Sequence, residues 1–348
     1  MRIGQFFFIK IEESEPNNTL LSFLSRINPG GIVLFSENLK TPSQTFNLLT
    51  KIREYLNYPV FLSVDLEGGK VDRLKHILYP FPSWTDLGKA KNKDLIKRHA
   101  KLTARALKLL GFNTNFSPVV DLDFSQTNGL EGRTLGQNPD YVTSMAKIYL
   151  KEVAKYQILS TLKHFPGLGR AKEDTHQVLS SINTSWHTLK ETDLVPFKKL
   201  NPFSPFIMVN HAHYSCLNQE ILPASLSKTI IKDLLKYKLN YSSIVITDDL
   251  TMGALKNFKE APLRAFESGA DMLLICAPGK ETEAWFKKFK EIINRGEISW
   301  KRLKSSLRRI RRIQKLISSF PTSFNPNEID GLIKEIETHS NELKKYLK

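Results

Sequence analysis

The sequence predicts a (β/α)8 barrel of the TIM type, one domain with a C-terminal helical extension, and three observations carry that expectation. Eight short apolar, β-branched runs recur along the chain. Longer amphipathic stretches that open on helix-capping residues separate many of them. Reactive side chains gather where the runs end, which is where barrels of this type carry their chemistry. Strands that are apolar throughout need cover on both faces, and a parallel sheet ringed by helices supplies it. A doubly wound open sheet is the alternative architecture.

Taken in order, the candidate strands are GQFFFIKI (4–11), GGIVLF (30–35), PVFLSVD (59–65), FNTNFSPVVD (112–121), ILSTLKHF (158–165), PFIMVNHA (205–212), SIVITDD (243–249) and DMLLICAP (271–278). Between them, helical periodicity marks 41–56, 93–111, 139–156 and 225–239, several opening on Thr, Ser or Asn-Pro as a helix start requires. After the last strand, residues 300–317 repeat Leu303, Leu307, Ile310, Ile313 and Ile317 at helical spacing, so the arginines between them are expected on an outer, solvated face. Residues 328–348 read as one more charged helix, packed under the barrel or loosely held. No repeat or composition break divides the chain. The expected organisation is therefore a barrel over 1–320 and an extension over 321–348.

Composition narrows the class. A chain of 348 residues with 41% apolar content can bury a large core. Cys216 and Cys276 show neither disulfide nor metal-ligand spacing and are expected reduced, in or near the core. The opening apolar run is interrupted at Lys10 and is too short for a signal peptide or membrane span, so a soluble, cytoplasmic protein is expected. The net charge of +16, from 51 Lys and Arg against 35 Asp and Glu, favours acidic ligands in general.

The polar residues fall at strand ends. Asp65 closes the third run, and Asp121 closes the fourth, with Arg133 further along the same loop. Lys163 and His164 close the fifth, Asn210, His211 and His213 the sixth, and Asp248 and Asp249 the seventh. Asp249 is expected to cap the following helix. Gly68 and Gly69 are read as a tight turn, because no phosphate-loop spacing surrounds them. His76, His99, His187 and His339 have no evident partner and are read as surface or packing residues.

Two chemistries suit such a mouth. A metal-dependent hydrolase would use His211, His213, His164 and Asp248 as ligands. A glycosidase would use one carboxylate as nucleophile and a second group as acid/base, which better explains the Asp174-Thr175-His176 triplet. A non-catalytic barrel that holds a glycan or nucleic acid on its basic surface is a third reading.

The segments VDLEGGKVDRL (64–74), NFSPVVDL (115–122), GRTLG (132–136), KHFPGLG (163–169) with DTH (174–176), PASLS (223–227) and VITDDLTMGAL (245–255) resemble, in order and spacing, glycoside hydrolase family 3. They are most similar to its short, single-barrel bacterial β-N-acetylhexosaminidases of peptidoglycan recycling. The resemblance implies Asp248 as the nucleophile that forms a covalent glycosyl-enzyme, His176 as acid/base and Asp174 as its partner. It implies that Asp65, Arg73, Arg133, Lys163 and His164 hold the N-acetylglucosamine ring. Lys163 and the arginines are expected to keep Asp248 ionised, and the Asp174–His176 loop to swing in over bound substrate. It further implies a retaining exo-β-N-acetylglucosaminidase acting on muropeptides, a monomer with a small-molecule carbohydrate partner, no cofactor, no metal, and no nucleic-acid or membrane partner. Leu168, Arg170 and Lys70 depart from the family pattern. Arg170 or Lys172 near the acid/base is the basis of an alternative, transfer of the sugar to phosphate.

Overall fold

Apolar runs whose two faces both need cover bury each other by lying side by side, and all eight expected runs do so. In the computed structural model, which describes residues 2–125, 129–317 and 323–347, they form β1 (Phe7–Lys10), β2 (Gly31–Leu34), β3 (Phe61–Val64), β4 (Thr114–Asn115), β5 (Leu159–Phe165), β6 (Phe206–Val209), β7 (Ile244–Thr247) and β8 (Leu273–Ile275). Every pairing in this sheet is parallel, and the order is β7-β6-β5-β4-β3-β2-β1-β8. A bridge between Ile246 and Met272 joins β7 to the approach of β8 and closes the ring. The open-sheet alternative is thereby excluded.

Aromatic rings fill the barrel interior. Phe8 stacks on Phe61 with ring centres 6.0 Å apart and meets Phe116 edge-on at 5.3 Å, while Phe206 meets Phe61 edge-on at 5.0 Å. Gly31 makes room for this packing: a Cβ there would fall 2.4 Å from the Phe8 ring. A plug of offset and edge-on rings is a favourable way to fill such a space, and it makes the barrel a solid core.

The helices α1 (Asn18–Ile27), α2 (Pro42–Leu56), α3 (Lys93–Leu110), α4 (Pro139–Lys155), α5 (Leu194–Leu200), α6 (Thr229–Lys238), α7 (Ala261–Ser268) and α8 (Gly279–Asn294) follow β1 to β8 in turn. Capping chemistry sets several starts: the side chains of Asn17, Thr41, Asn92 and Asn138 accept from backbone N–H groups of α1, α2, α3 and α4. Two further helices follow, α9 (Trp300–Gln314) and α10 (Pro326–Lys344).

Three expectations need correction. The fourth run is only partly strand: after Asn115 the pairing turns irregular, with Thr161 N donating to Ser117 O at 3.0 Å before Val119 bridges Lys163, and Pro118 in this stretch has no N–H to donate. The extension lies neither under the barrel nor loose: α10 runs along α3, held by Arg98–Glu342 and by Arg105–Glu335 at 2.6 Å. The arginines of α9 do not all face solvent, since Arg302 and Arg309 turn inward onto the buried Asp271. The expected boundary between 320 and 321 lies outside the described residues. Among the described residues, no helix is long and apolar enough to cross a membrane.

Candidate active site

At the C-terminal end of the barrel, the strand ends and the loops after them enclose a cavity of about 360 Å³. Asp65, Arg73, Arg133, Lys163, His164, Asp174, His176 and Asp248 all line it, so every residue expected at the site is brought to one place. The reason is topological. Consecutive parallel strands end at the same rim, and residues scattered over nearly two hundred positions become neighbours there.

The wall is a network of charges. Lys163 is buried and pairs with Asp65 at 2.7 Å and with Glu67 at 2.6 Å. Arg133 donates to both Glu67 carboxylate oxygens, from Nε at 2.8 Å and from Nη2 at 2.9 Å. Glu67 is fully buried, yet its carboxyl is pulled down to about 2: burial raises it, and Arg133 and Lys163 more than reverse that. Burial likewise works against the Lys163 ammonium, and Asp65 and Glu67 overcome it, lifting its pKa above the usual lysine value. Sequence reasoning overlooked Glu67. The signal available was charge balance, because two cations that end up buried require a buried carboxylate.

His164 is fixed by Asp121, a buried carboxylate at the end of the fourth run. Asp121 Oδ2 accepts from the His164 backbone N–H at 3.0 Å and lies 2.6 Å from Nδ1, while Oδ1 accepts from Leu168 N at 2.7 Å. Asp121 thus sets the orientation of the ring through Nδ1, and Arg133 Nη2 lies 3.5 Å from Nε2 on its other side.

Asp248 sits just beyond β7, partly open to the cavity. Burial raises its pKa, but His164, His211 and His176 outweigh that and hold it below the ordinary carboxylate value. This corrects the expectation that Lys163 and the arginines do so; Lys163 and Arg133 are paired with Asp65 and Glu67 instead. Across from it, His176 lies on the loop after β5 with its side chain 62% exposed, and Asp174 Oδ1 stands 2.6 Å from Nδ1 and accepts from His176 N at 2.9 Å. Burial works to raise Asp174, yet its bonds to the His176 backbone and ring bring it below the usual value.

This loop is already docked beside Asp248. Gly253 N donates to His176 O at 2.9 Å and Ala254 N to Thr175 O at 3.3 Å, with Thr175 buried. A Cβ on Gly253 would meet Gln177 O at 2.2 Å and His176 O at 2.8 Å, so the close approach requires glycine.

Several other expectations resolve differently. His211 is buried between Ser225 Oγ at 2.7 Å and Asp249 O at 2.9 Å, and His213 Nδ1 faces Leu222 N at 3.3 Å; neither lines the cavity. Among the described residues, no group of three or more His, Cys, Asp or Glu is placed to hold a metal, which removes the ligand set of the metal-hydrolase reading. Asp249 is not a helix cap. It closes a turn onto Thr251 N at 3.0 Å and ties the backbone after β8 through Cys276 N at 3.0 Å. Cys276 packs against the core, as expected, and also borders the cavity. Arg170 points away, bound to Asp193 at 2.8 Å and laid over the Phe124 ring at 3.9 Å, and neither it nor Lys172 lines the cavity. His99 and His339 are packing residues, as expected, with ring centres 5.9 Å apart under α10.

A barrel whose mouth sets an ionised carboxylate near an aspartate-backed imidazole, inside a cavity walled by charged hydrogen-bonding groups, is of the class that cleaves glycosidic bonds. Residues 1–313 match the glycosyl hydrolase family 3 N terminal domain. The chain belongs to that family and is a glycoside hydrolase. It is 32% identical over 252 residues to the β-hexosaminidase of Tolumonas auensis, covering 71% of this chain and 75% of that one. With the β-hexosaminidase of Stenotrophomonas maltophilia it shares 31% over 264 residues, 73% of this chain and 78% of the other. The structure of a family 3 β-N-acetylglucosaminidase from Paenibacillus sp. FPU-7 superposes with a TM-score of 0.90 at 26% identity, covering 97% of this chain and 68% of that one. NagZ from Neisseria gonorrhoeae shares the fold at a TM-score of 0.79 and 23% identity, over 98% of this chain and 97% of that one.

Proposed function

We propose that this hydrolase is a retaining exo-β-N-acetylglucosaminidase, and the observation that carries the proposal is the pairing of ionised Asp248 with the docked Asp174–His176 dyad. Asp248 attacks the anomeric carbon while the bond to the leaving oxygen breaks and His176 gives that oxygen a proton. Water then attacks the same carbon, His176 takes up its proton, and the bond to Asp248 breaks. Because Asp174 occupies Nδ1, the proton moves on Nε2. Asp65, Arg73, Arg133, Lys163 and His164 grip the sugar. Arg73 Nε is buried without a protein acceptor and its guanidinium lies over the Phe35 ring at 5.2 Å, which leaves the guanidinium open to a ligand. The names of the relatives support β-N-acetylglucosamine as the sugar, and the basic charge suits the carboxylates of a muropeptide. Action in the cytoplasm, as a monomer, with residues 1–320 as catalytic barrel and 321–348 as extension, is part of the same proposal.

The test is release of chromophore from an aryl β-N-acetylglucosaminide, with matched β-glucoside and β-galactoside controls and with phosphate present or absent. Turnover confined to the N-acetyl sugar, with an Asp248-bearing peptide that carries one sugar mass when a slow fluorinated substrate is used, is expected. An Asp248→Asn variant with undiminished turnover sinks the nucleophile assignment.

A further inference from the structure

A second cavity, of about 840 Å³, opens between α6 and α9 at the opposite end of the barrel. Strand β7 separates the two: Tyr241, which lines this cavity, precedes the strand, and Asp248 follows it. Its lining includes Lys232, Lys236, Tyr237, Lys301, Arg302 and Arg309.

The floor has an unbalanced charge. Asp271 is fully buried, with Lys236 at 3.0 Å, Arg309 at 2.8 Å and Arg302 at 3.7 Å. One carboxylate thus faces three cations. At the rim Lys232 and Lys301 add two more, against Glu267 and a Glu297 already paired with Arg295 at 2.6 Å. The floor cations are rigid. Arg302 donates to Phe266 O and Ala270 O, and Lys236 donates to Gly269 O at 2.6 Å, so they supply a fixed positive field. The lysines at the rim are adaptable arms for an anion. Beside them, Tyr237, also part of the lining, leaves 67% of its surface exposed and offers a ring face to a ligand in the cavity.

We propose that this cavity binds a phosphorylated small molecule, with Lys232 and Lys301 on the phosphate above the positive floor and Tyr237 against the rest of the ligand. The state of Lys236 agrees. Burial, together with Arg309 and Arg302, pushes its ammonium down to about 8 despite Asp271. A phosphate arriving above it raises that value, so binding near pH 8 takes up protons.

Calorimetric titration of the whole protein with inorganic pyrophosphate and with ADP tests this, at roughly physiological salt and about pH 8 in two buffers of different ionisation enthalpy. Saturable one-to-one binding with net proton uptake is expected. Lys232→Gln with Lys301→Gln weakens both probes about tenfold or more, whereas Lys70→Gln, in the other cavity, leaves them unchanged. Tyr237→Ala weakens ADP and spares pyrophosphate. Absence of saturable binding, binding that survives the double lysine change, or loss on Lys70→Gln overturns the proposal; equal response of both probes to Tyr237→Ala overturns the role given to that ring.

Discussion

Asp248 and His176 divide one task, and their surroundings predict different consequences of losing them. Asp248→Ala removes the bond-forming group and abolishes turnover of every aryl glycoside. His176→Ala removes only the proton, so it costs about 10²- to 10⁴-fold with poor leaving groups and far less with an activated nitrophenol; equal losses across a leaving-group series, read as kcat/KM, contradict the acid role. The acid limb also has a definite sign. Because Asp248 lies below the ordinary aspartate value, loss of the ionised nucleophile does not explain any decline in activity at pH 5 to 6. Glu67 has a structural price attached: Glu67→Gln leaves Arg133 and Lys163 buried with one carboxylate fewer, and about 3–5 kcal/mol of stability is expected to go in a urea titration. Asp248 was legible from its strand end, and His176 from the Asp-Thr-His triplet and the family resemblance. Glu67 was not, because its importance comes from which cations fold onto it.

At the level of elements, two contacts decide how the loops and the last helix behave. The turn after Asp248 holds the acid/base loop through Gly253 N and Ala254 N. Gly253→Ala is expected to displace that loop while the barrel melts almost unchanged, lowering kcat strongly with little change in KM for the sugar; a normal kcat would show that the docked position is not the working one. The second contact is the His99–His339 pair beneath α10. Both rings are buried, and burial, the largest influence, pushes His339 down to about 4. An unfolded histidine titrates near 6.5. Between these values the unfolded chain binds more protons, so stability falls as pH drops from about 6.5 to 4, by up to about 3 kcal/mol from His339. His339→Phe should flatten that part of a melting-temperature profile, and an unchanged slope would remove the pair as its cause. Sequence periodicity found α10 but not its seat, since a charged helix can dock on any flank and only the buried ring reveals which.

For the whole molecule, the barrel was legible because its two periodicities are unmistakable: apolar runs of strand length and helices opening on Asn, Ser or Thr. What stayed hidden was closure. Nothing in a linear pattern says that the approach to β8 lies against β7, and the arginines of α9 read as solvated because a carboxylate some thirty residues away in sequence cannot be seen to lie beneath them. Asp271 is where the ring closes. Its N–H donates to Val245 O at 2.7 Å, its Oδ2 accepts from Val245 N at 3.1 Å, and its carboxylate gathers Lys236 from α6 and Arg309 from α9. Burial raises its pKa, but those cations and Arg302 hold it far below the usual range. Asp271→Asn keeps the shape and one acceptor but leaves Arg302 and Arg309 facing each other beside a Lys236 that has lost its counter-ion, which should cost about 3–5 kcal/mol. Added salt should recover part of that loss by screening the repulsion. Asp271→Ala also removes the link to Val245 N and should be worse, with no such recovery of the lost hydrogen bond. Urea titrations of the three proteins at low and high salt decide the matter: a loss below about 1 kcal/mol for the asparagine variant would mean that the seam is held by the β-ladder and packing, and that the charge cluster only decorates it.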